Sequence, residues 1–412
     1  MTDQFYSYPK VSKRLYFGPL ADYIDSFAQI LKLQGYKTNT AKQKIRIAAN
    51  LSRWLDQQGL GVKDLDETTL NQYLLCKGRR GSIFRIEPPT LRVFLKHLRE
   101  AGIVPDPVRV DDDSQRRRIE NGFAAYLAKE RGLKQVTIDT YLSIAGRFLF
   151  NRFGTGPILL NKLHPNDIVR FILQDTEAVS AKRAQLIVCS LRSFFRFLYQ
   201  QGETANDLSP SALTVANWRL SELPKFLEPE QVERLLQSCN QDTLIGQRDY
   251  VILLLLARLG LRAGDVVHMM LDDIDWEAGE LIVCGKSNRQ ERLPLPQDVG
   301  EALVRYLSHG RPRCSSRRVF IRIRAPHNGF SSSVAICNIV RRALVRANLN
   351  PAFKGSHLMR HSLATQMLRG GASLAEIGEI LRHQRLNTTQ IYAKVDLKAL
   401  RALAQPWPGG EI

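Results

Sequence analysis

The chain has 412 residues, of which 44% are apolar, and it carries 59 Lys and Arg against 40 Asp and Glu, for a net charge of +19. Length and apolar content fit a globular protein of two or three domains. The cationic excess favours a polyanionic partner through counterion release at phosphates, although a basic surface that only aids solubility would have the same charge. Six scattered cysteines with no C-x-x-C pair exclude a disulfide framework or a cysteine-based zinc site and point to a reducing compartment. Met1 to Lys13 lacks the apolar core of a secretory leader, and the longest strongly apolar run, Tyr250 to Ala257, is too short to span a membrane.

In chain order, Leu20 to Leu33 has helical periodicity. Thr38, Asn39 and Thr40 are candidate caps for a second helix carrying Ala48, Leu51, Trp54 and Leu55. Asp66 caps a third, and Pro88 and Pro89 open a fourth. IVPDPVRVDDDS then reads as a linker. The plan then repeats at an offset of 97 to 100 residues: GYKTNT at Gly35 aligns with GLKQVT at Gly132, and TLRVFLKHLREAG aligns with SLRSFFRFLYQQG. Leu91 falls on Leu191, Phe94 on Phe194 and Leu98 on Leu198. We read two small four-helix domains of one design, over 1–105 and 114–203. The alternative is a chance likeness between two amphipathic bundles.

Residues 204–225 lack periodicity and hold Pro210 and Pro224, so they read as an interdomain linker before a domain over 226–412. Pro229 sits at a permitted first-turn position, Tyr250 to Leu259 reads as a buried helix, Gly260 breaks it, and Arg262 opens the next. An arginine after a buried run needs a partner, and Asp265 is three residues on. Asp272 to Leu295 reads as a three-stranded antiparallel sheet with Lys286 in its second turn, GKSN. A basic run from Arg305 to Arg324 includes residues suited to phosphates and others that solvate a loop. Ser331 to Ala347 is helical.

The stretch from His357 to Tyr392 holds the chemistry. His357 and Arg360 share a helix face. Gly370 and Gly371 end that helix, Ser373 and Glu376 have capping-box spacing, and the helix they open ends near Leu381, leaving Arg382 and His383 at its exit. Asn387, Thr388 and Thr389 are placed to cap a last helix bearing Tyr392. Basic groups with one hydroxyl nucleophile and no carboxylate beside them suit a phosphate diester, whose oxygens match guanidinium forks. His357 and His361 have metal-pair spacing, but no H-E-x-x-H arrangement or third ligand accompanies them, so no metal is expected and His361 reads as a packing residue.

HLMRH and LRHQRLNTTQIYAKV resemble the H-x-x-R and terminal tyrosine boxes of the tyrosine recombinases, the phage integrase and Xer-like family. That family's further arginine and β-turn lysine match Arg262 and Lys286, so the resemblance implies the catalytic set Arg262, Lys286, His357, Arg360, His383 and Tyr392. Asp265 stands where the family usually carries Glu. The implied fold is mainly α with a small antiparallel sheet in the C-terminal catalytic domain, behind tandem SAM-like bundles. The second bundle resembles the family's core-binding domain, with Lys134, Arg147, Lys182, Arg183, Arg192 and Arg196 as candidate DNA contacts. Arg289 and Arg292 join them, and are also near alternatives to Lys286. Lys37, Lys42, Lys44, Arg46, Arg79 and Arg80 of the first bundle could extend the DNA footprint, bind separate DNA or meet another protomer, and the loop-like run Lys77 to Gly81 favours phosphate contact.

By the same likeness, Tyr392 forms a covalent 3′-phosphotyrosine on double-stranded DNA without metal, ATP or other cofactor. Arg262, Arg360 and His383 hold the phosphate, Lys286 is the general acid, and His357 accepts or steers the tyrosine proton. Strand exchange implies a homo- or hetero-tetramer on two DNA sites, in the bacterial cytoplasm, with no membrane. Leu397, Leu400 and Leu403 fit a C-terminal tail that docks in a neighbouring protomer or packs on its own. The expected activity is site-specific recombination for a mobile element. A type IB topoisomerase-like enzyme or a non-cutting accessory subunit is the alternative, and a structural nucleoid protein would explain the charge but not Tyr392.

Overall fold

Apolar residues at three- and four-residue spacing build the first bundle. The computed structural model describes residues 15–77, 86–106, 114–215, 223–284, 290–383, 388–395 and 401. The bundle consists of α1 (Ile24–Leu33), α2 (Thr38–Gln57), α3 (Glu67–Cys76) and α4 (Glu87–Glu100). Asp66 caps α3 by accepting from the Thr69 amide at 2.7 Å, and Pro88 and Pro89 occupy the first turn of α4. The start of α2 differs from expectation. Lys37 is its N-cap, with no side-chain cap, and Thr38 already lies inside the helix. Phe27, Ile45, Leu51, Phe94 and Leu98 fill the core, with the Phe27 and Phe94 rings 4.6 Å apart.

The second bundle consists of α5 (Gln115–Lys129), α6 (Gln135–Phe153), α7 (Pro165–Thr176) and α8 (Ala181–Gln200). It repeats the first in helix order and in detail. A three-residue 3-10 turn precedes the third helix in each, Val62–Asp64 and Leu160–Lys162, and is followed by a buried leucine, Leu65 or Leu163. The aligned residues Leu91 and Leu191, Phe94 and Phe194, and Leu98 and Leu198 are all buried. Part of the expected linker belongs to this bundle. Leu208 and Ala212 enter its core around the 3-10 turn Ser209–Ser211, because the Arg192 guanidinium on α8 donates to the Ala212 carbonyl at 2.8 Å and to Thr214 at 2.7 Å.

Residues 108–221 form one compact unit, and residues 1–107 form another together with 222–412. The first bundle, expected as a separate domain, thus shares a unit with the catalytic part. The His327 amide donates to the Gln34 carbonyl at 3.0 Å, and its ring lies where a side chain at Gly35 (φ +77°) would otherwise be.

In the catalytic part, a Glu228–Gln231 capping box opens α9 (Pro229–Gln237). Helix α10 (Leu244–Arg258) buries every side chain from Val251 to Ala257, as its unbroken apolar run requires. After α11 (Ala263–His268) comes the antiparallel sheet β1 (Ile274–Asp275), β2 (Glu280–Cys284) and β3 (Gln290–Pro294), in that order, with Leu281 opposite both Ile274 and Leu293. Helices α12 (Gln297–Arg305), α13 (Val334–Arg346), α14 (His357–Arg369) and α15 (Leu374–Ile380) follow, then a 3-10 helix, Gln390–Val395. Three arginines of the basic run between α12 and α13 are engaged within the catalytic part, Arg311 in its own loop and Arg317 and Arg318 on the end of α11 and the segment after it. Arg311 donates to the Ser316 and Arg318 carbonyls, Arg317 pairs with Asp272, and Arg318 donates to the His268 carbonyl. Among the described residues no helix is long and apolar enough to cross a membrane.

Candidate active site

Three helix ends and one helix face build the site. Gly260 ends the run after α10 at φ +56°, a left-handed conformation that glycine adopts without penalty. A Cβ there would lie 2.7 Å from Leu381 and 3.0 Å from Leu363, so the missing side chain lets α14 and the end of α15 close over this turn. Arg262 is the N-cap of α11, and Asp265 accepts from the Arg262 amide at 3.0 Å. The expectation that Asp265 orients Arg262 holds at the backbone. The Arg262 guanidinium instead donates to the Arg382 carbonyl at 2.8 Å.

Arg360 projects from the buried side of α14 and is 4% exposed. It donates to the Gly260 carbonyl at 2.5 Å and to the Leu381 carbonyl. Burial, reinforced by the nearby Arg262 charge, lowers its pKa to about 10, which leaves it cationic at neutral pH. Arg262 is lowered too, chiefly by burial.

Ser373 and Glu376 form the expected capping box at the start of α15. Its C-terminal turn presents His383, whose Nδ1 lies 2.8 Å from the Thr389 hydroxyl. Burial, then the Arg360 and Arg262 charges, push the His383 pKa down to about 4, so its imidazole is neutral at physiological pH.

Tyr392 packs in a small core with Ala364, Ile377 and Leu381 and is 1% exposed. Burial lifts its hydroxyl to about 12, although the Arg360 charge pulls the other way. Its oxygen lies 2.9 Å from His361 Nδ1, and the two rings meet edge to face. This corrects the reading of His361 as a packing residue. The tyrosine's hydrogen bond goes to His361, while His357 sits one turn back with its ring 6.4 Å from that of His361. The sequence signal was available: His361 follows Arg360 directly and lies four residues from His357, so both imidazoles share a helix face.

Arg262, Arg360, His383 and Tyr392 therefore converge. The turn at 381–383 supplies carbonyls to both arginines, and the Arg360 charge acts on both His383 and Tyr392. Lys286 and Arg289 lie outside the described residues. Arg292 is exposed on β3 and pairs with Glu280 at 2.9 Å. In the second bundle Lys134, Lys182, Arg183 and Arg196 are exposed, Arg147 pairs with Asp175 at 2.5 Å, and Arg192 is engaged by its own chain. In the first bundle Lys44 is buried and donates to Thr90 at 2.9 Å, and Lys77 pairs with Glu87 at 2.7 Å, so neither is a free phosphate contact. Arg79, Arg80 and the tail leucines 397, 400 and 403 lie outside the described residues.

Residues 225–398 match the phage integrase family, and residues 121–202 match the phage integrase N-terminal SAM-like domain. The chain is 43% identical over 395 residues to a putative integrase/recombinase, y4rA, of Sinorhizobium fredii, covering 95% of each. It is 30% identical over 281 residues to the tyrosine recombinase XerD of Listeria monocytogenes, covering 66% of this chain and 92% of that one. In fold it is similar to the XerH site-specific recombinase solved with its palindromic difH substrate, with a TM-score of 0.55 at 18% identity over 75% of this chain and 92% of that one. The chain belongs to the phage integrase family of tyrosine recombinases, enzymes that cleave and rejoin DNA in site-specific recombination.

Proposed function

We propose that Tyr392 is the nucleophile of a metal-free transesterification on double-stranded DNA. Its oxygen bonds to the scissile phosphorus, the bond from phosphorus to the 5′ oxygen breaks, and a 3′-phosphotyrosine and a 5′-hydroxyl result. The ester conserves the energy of the broken bond, so the reverse attack by a 5′-hydroxyl reseals a strand without ATP. Arg262 and Arg360 hold the nonbridging oxygens and offset the charge that builds at pentavalent phosphorus. Their fixed bonds to main-chain carbonyls support this role, since donors already oriented need no reorganisation during the reaction. His383 donates from Nε2 as a neutral imidazole, with Thr389 on Nδ1 fixing the ring. His361 receives the tyrosine proton, His357 assists it from the next turn, and Lys286 protonates the leaving oxygen.

The observation that carries this reading is the buried, hydrogen-bonded Tyr392 beside the Arg360 charge. Duplex DNA is the partner expected of a chain with net charge +19, held in part by Lys134, Lys182, Arg183 and Arg196 on the second bundle. Exchange between two duplexes requires four protomers, with the C-terminal tail as a candidate link between them, and the setting is the bacterial cytoplasm, on a mobile element.

Covalent trapping tests the proposal. Nicked suicide duplexes from the surrounding genome, incubated with the protein in chelator, are expected to give an adduct that survives denaturation. Tyr392→Phe abolishes it. Tight binding without an adduct on any of those duplexes would instead indicate a non-cutting accessory subunit.

A further inference from the structure

The six proposed catalytic positions leave out a further arginine at the site, Arg382. Arg382 occupies the turn after α15 with φ +54°, a left-handed conformation that is unfavourable for a non-glycine residue. The turn is a helix-ending motif in which glycine is usual: the Arg382 amide donates to the Glu379 carbonyl and the His383 amide to the Gly378 carbonyl, both at 2.8 Å. An arginine here carries a backbone penalty that a glycine would not. Its side chain is nevertheless 3% exposed and commits Nη2 to Asp265.

That commitment closes a ring around Arg262. The Arg262 guanidinium donates to the Arg382 carbonyl at 2.8 Å. The Arg382 guanidinium donates to Asp265 Oδ2 at 2.7 Å, and the same oxygen accepts from the Arg262 amide at 3.0 Å. Arg382 Nε stands 3.8 Å from Glu291 Oε2 on β3, and Nε and Nη1 make no hydrogen bond. A carboxylate only 10% exposed and three residues from a catalytic arginine is a competing anion. Left unneutralised, Asp265 would draw the Arg262 guanidinium towards itself and away from a phosphate.

We propose that Arg382 is a positioning residue for strand cleavage: its guanidinium neutralises Asp265 while its left-handed carbonyl receives Arg262, which keeps Arg262 aimed at the scissile phosphate. This rests on the assignment of Arg262 as a phosphate ligand. It also explains why the turn accepts a strained arginine. Glycine would satisfy the backbone but leave Asp265 free.

The test uses Arg382→Gly in the full-length chain, because glycine suits the backbone and favours a folded variant. On a suicide duplex at saturating concentration, Arg382→Gly is expected to slow adduct formation about tenfold or more while leaving DNA affinity within a few-fold of the parent. Two further arms separate positioning from general support. The deficit shrinks on a duplex with a methylphosphonate at the scissile position, where a neutral diester depends less on Arg262. It also shrinks in Arg382→Gly/Asp265→Asn, where the competing charge is gone and the amide oxygen still caps α11. An equal deficit on both substrates, or none, overturns the proposal. A DNA-free crystal structure of Arg382→Gly reads the same claim without any cleavage. Arg262 swung onto Asp265 supports it, and Arg262 still on the residue 382 carbonyl overturns it, even if the parent chain fails to cut and the phosphate assignment is wrong.

Discussion

At the level of single residues, the site holds a buried, protonated tyrosine and a neutral histidine, both within reach of the Arg360 charge. Tyr392 at about 12 keeps its proton at neutral pH, so the proposed attack requires an acceptor in contact, and His361 Nδ1 lies 2.9 Å from its hydroxyl. His361→Phe, which preserves the ring packing and removes the acceptor, should slow adduct formation by roughly 10²-fold. Single-turnover trapping checks this, and an unchanged rate would transfer the role to His357. His383 makes a prediction about stability. Its folded pKa of about 4 lies below the ordinary 6.5, so between those values the unfolded chain binds more protons and stability falls as pH drops from 6.5 towards 4. Thermal melts across that window should flatten in His383→Gln. A parallel slope in parent and variant would assign the acid sensitivity to other groups. The motif spacing singled out Arg360, His383 and Tyr392 as candidates, and the fold brings the three together. Spacing placed His361 on the His357 face but gave it no role, because its contact with Tyr392, 31 residues away, forms only in the fold, as does that of Arg382 with Asp265, 117 residues away.

At the level of elements, caps and breaks were the most legible features. The Ser373–Glu376 box, the Asp66 cap and the proline-opened α4 each involve local bonding between a few neighbouring residues, so the sequence pattern contains the whole interaction. Lys37 replaced the expected threonine cap because the helix began one residue early and needed no side-chain partner there. The linker was misjudged over its first half because Leu208 and Ala212 bury without periodicity, held by Arg192 from another helix. The Gly260 turn is the element on which the arginine pair depends. Gly260→Ala adds both a left-handed penalty and a collision with Leu381, so it should lower stability by roughly 2 kcal/mol or more. Gly264→Ala, in open space on α11, should be neutral or mildly stabilising. Denaturant melts of the two variants decide the point, and equal midpoints would contradict the close packing at Gly260.

At the level of the whole molecule, charge and duplication set the behaviour. Two bundles share helix order, the 3-10 turn and core register, which the 97-to-100-residue offset made visible. What the sequence could not show was which basic residues are free. Lys44 and Lys77 look equivalent to Lys134 and Lys182 in a composition count, yet burial and Glu87 engage the first two. DNA affinity should fall linearly with the logarithm of salt concentration. Alanine at Lys182 or Arg196 should reduce the slope by about one unit each if the side chain meets a phosphate. An unchanged slope would return that residue to the solvated surface.

One tyrosine among the twelve in this chain, Tyr392, is proposed to form the bond to DNA. Proteolysis of the trapped adduct followed by mass spectrometry tests it most directly. The expected result is a nucleotide remnant on the peptide that contains Tyr392, attached through its phenolic oxygen to a 3′ phosphate. A remnant on any other residue, or an adduct that persists undiminished in Tyr392→Phe, would contradict it.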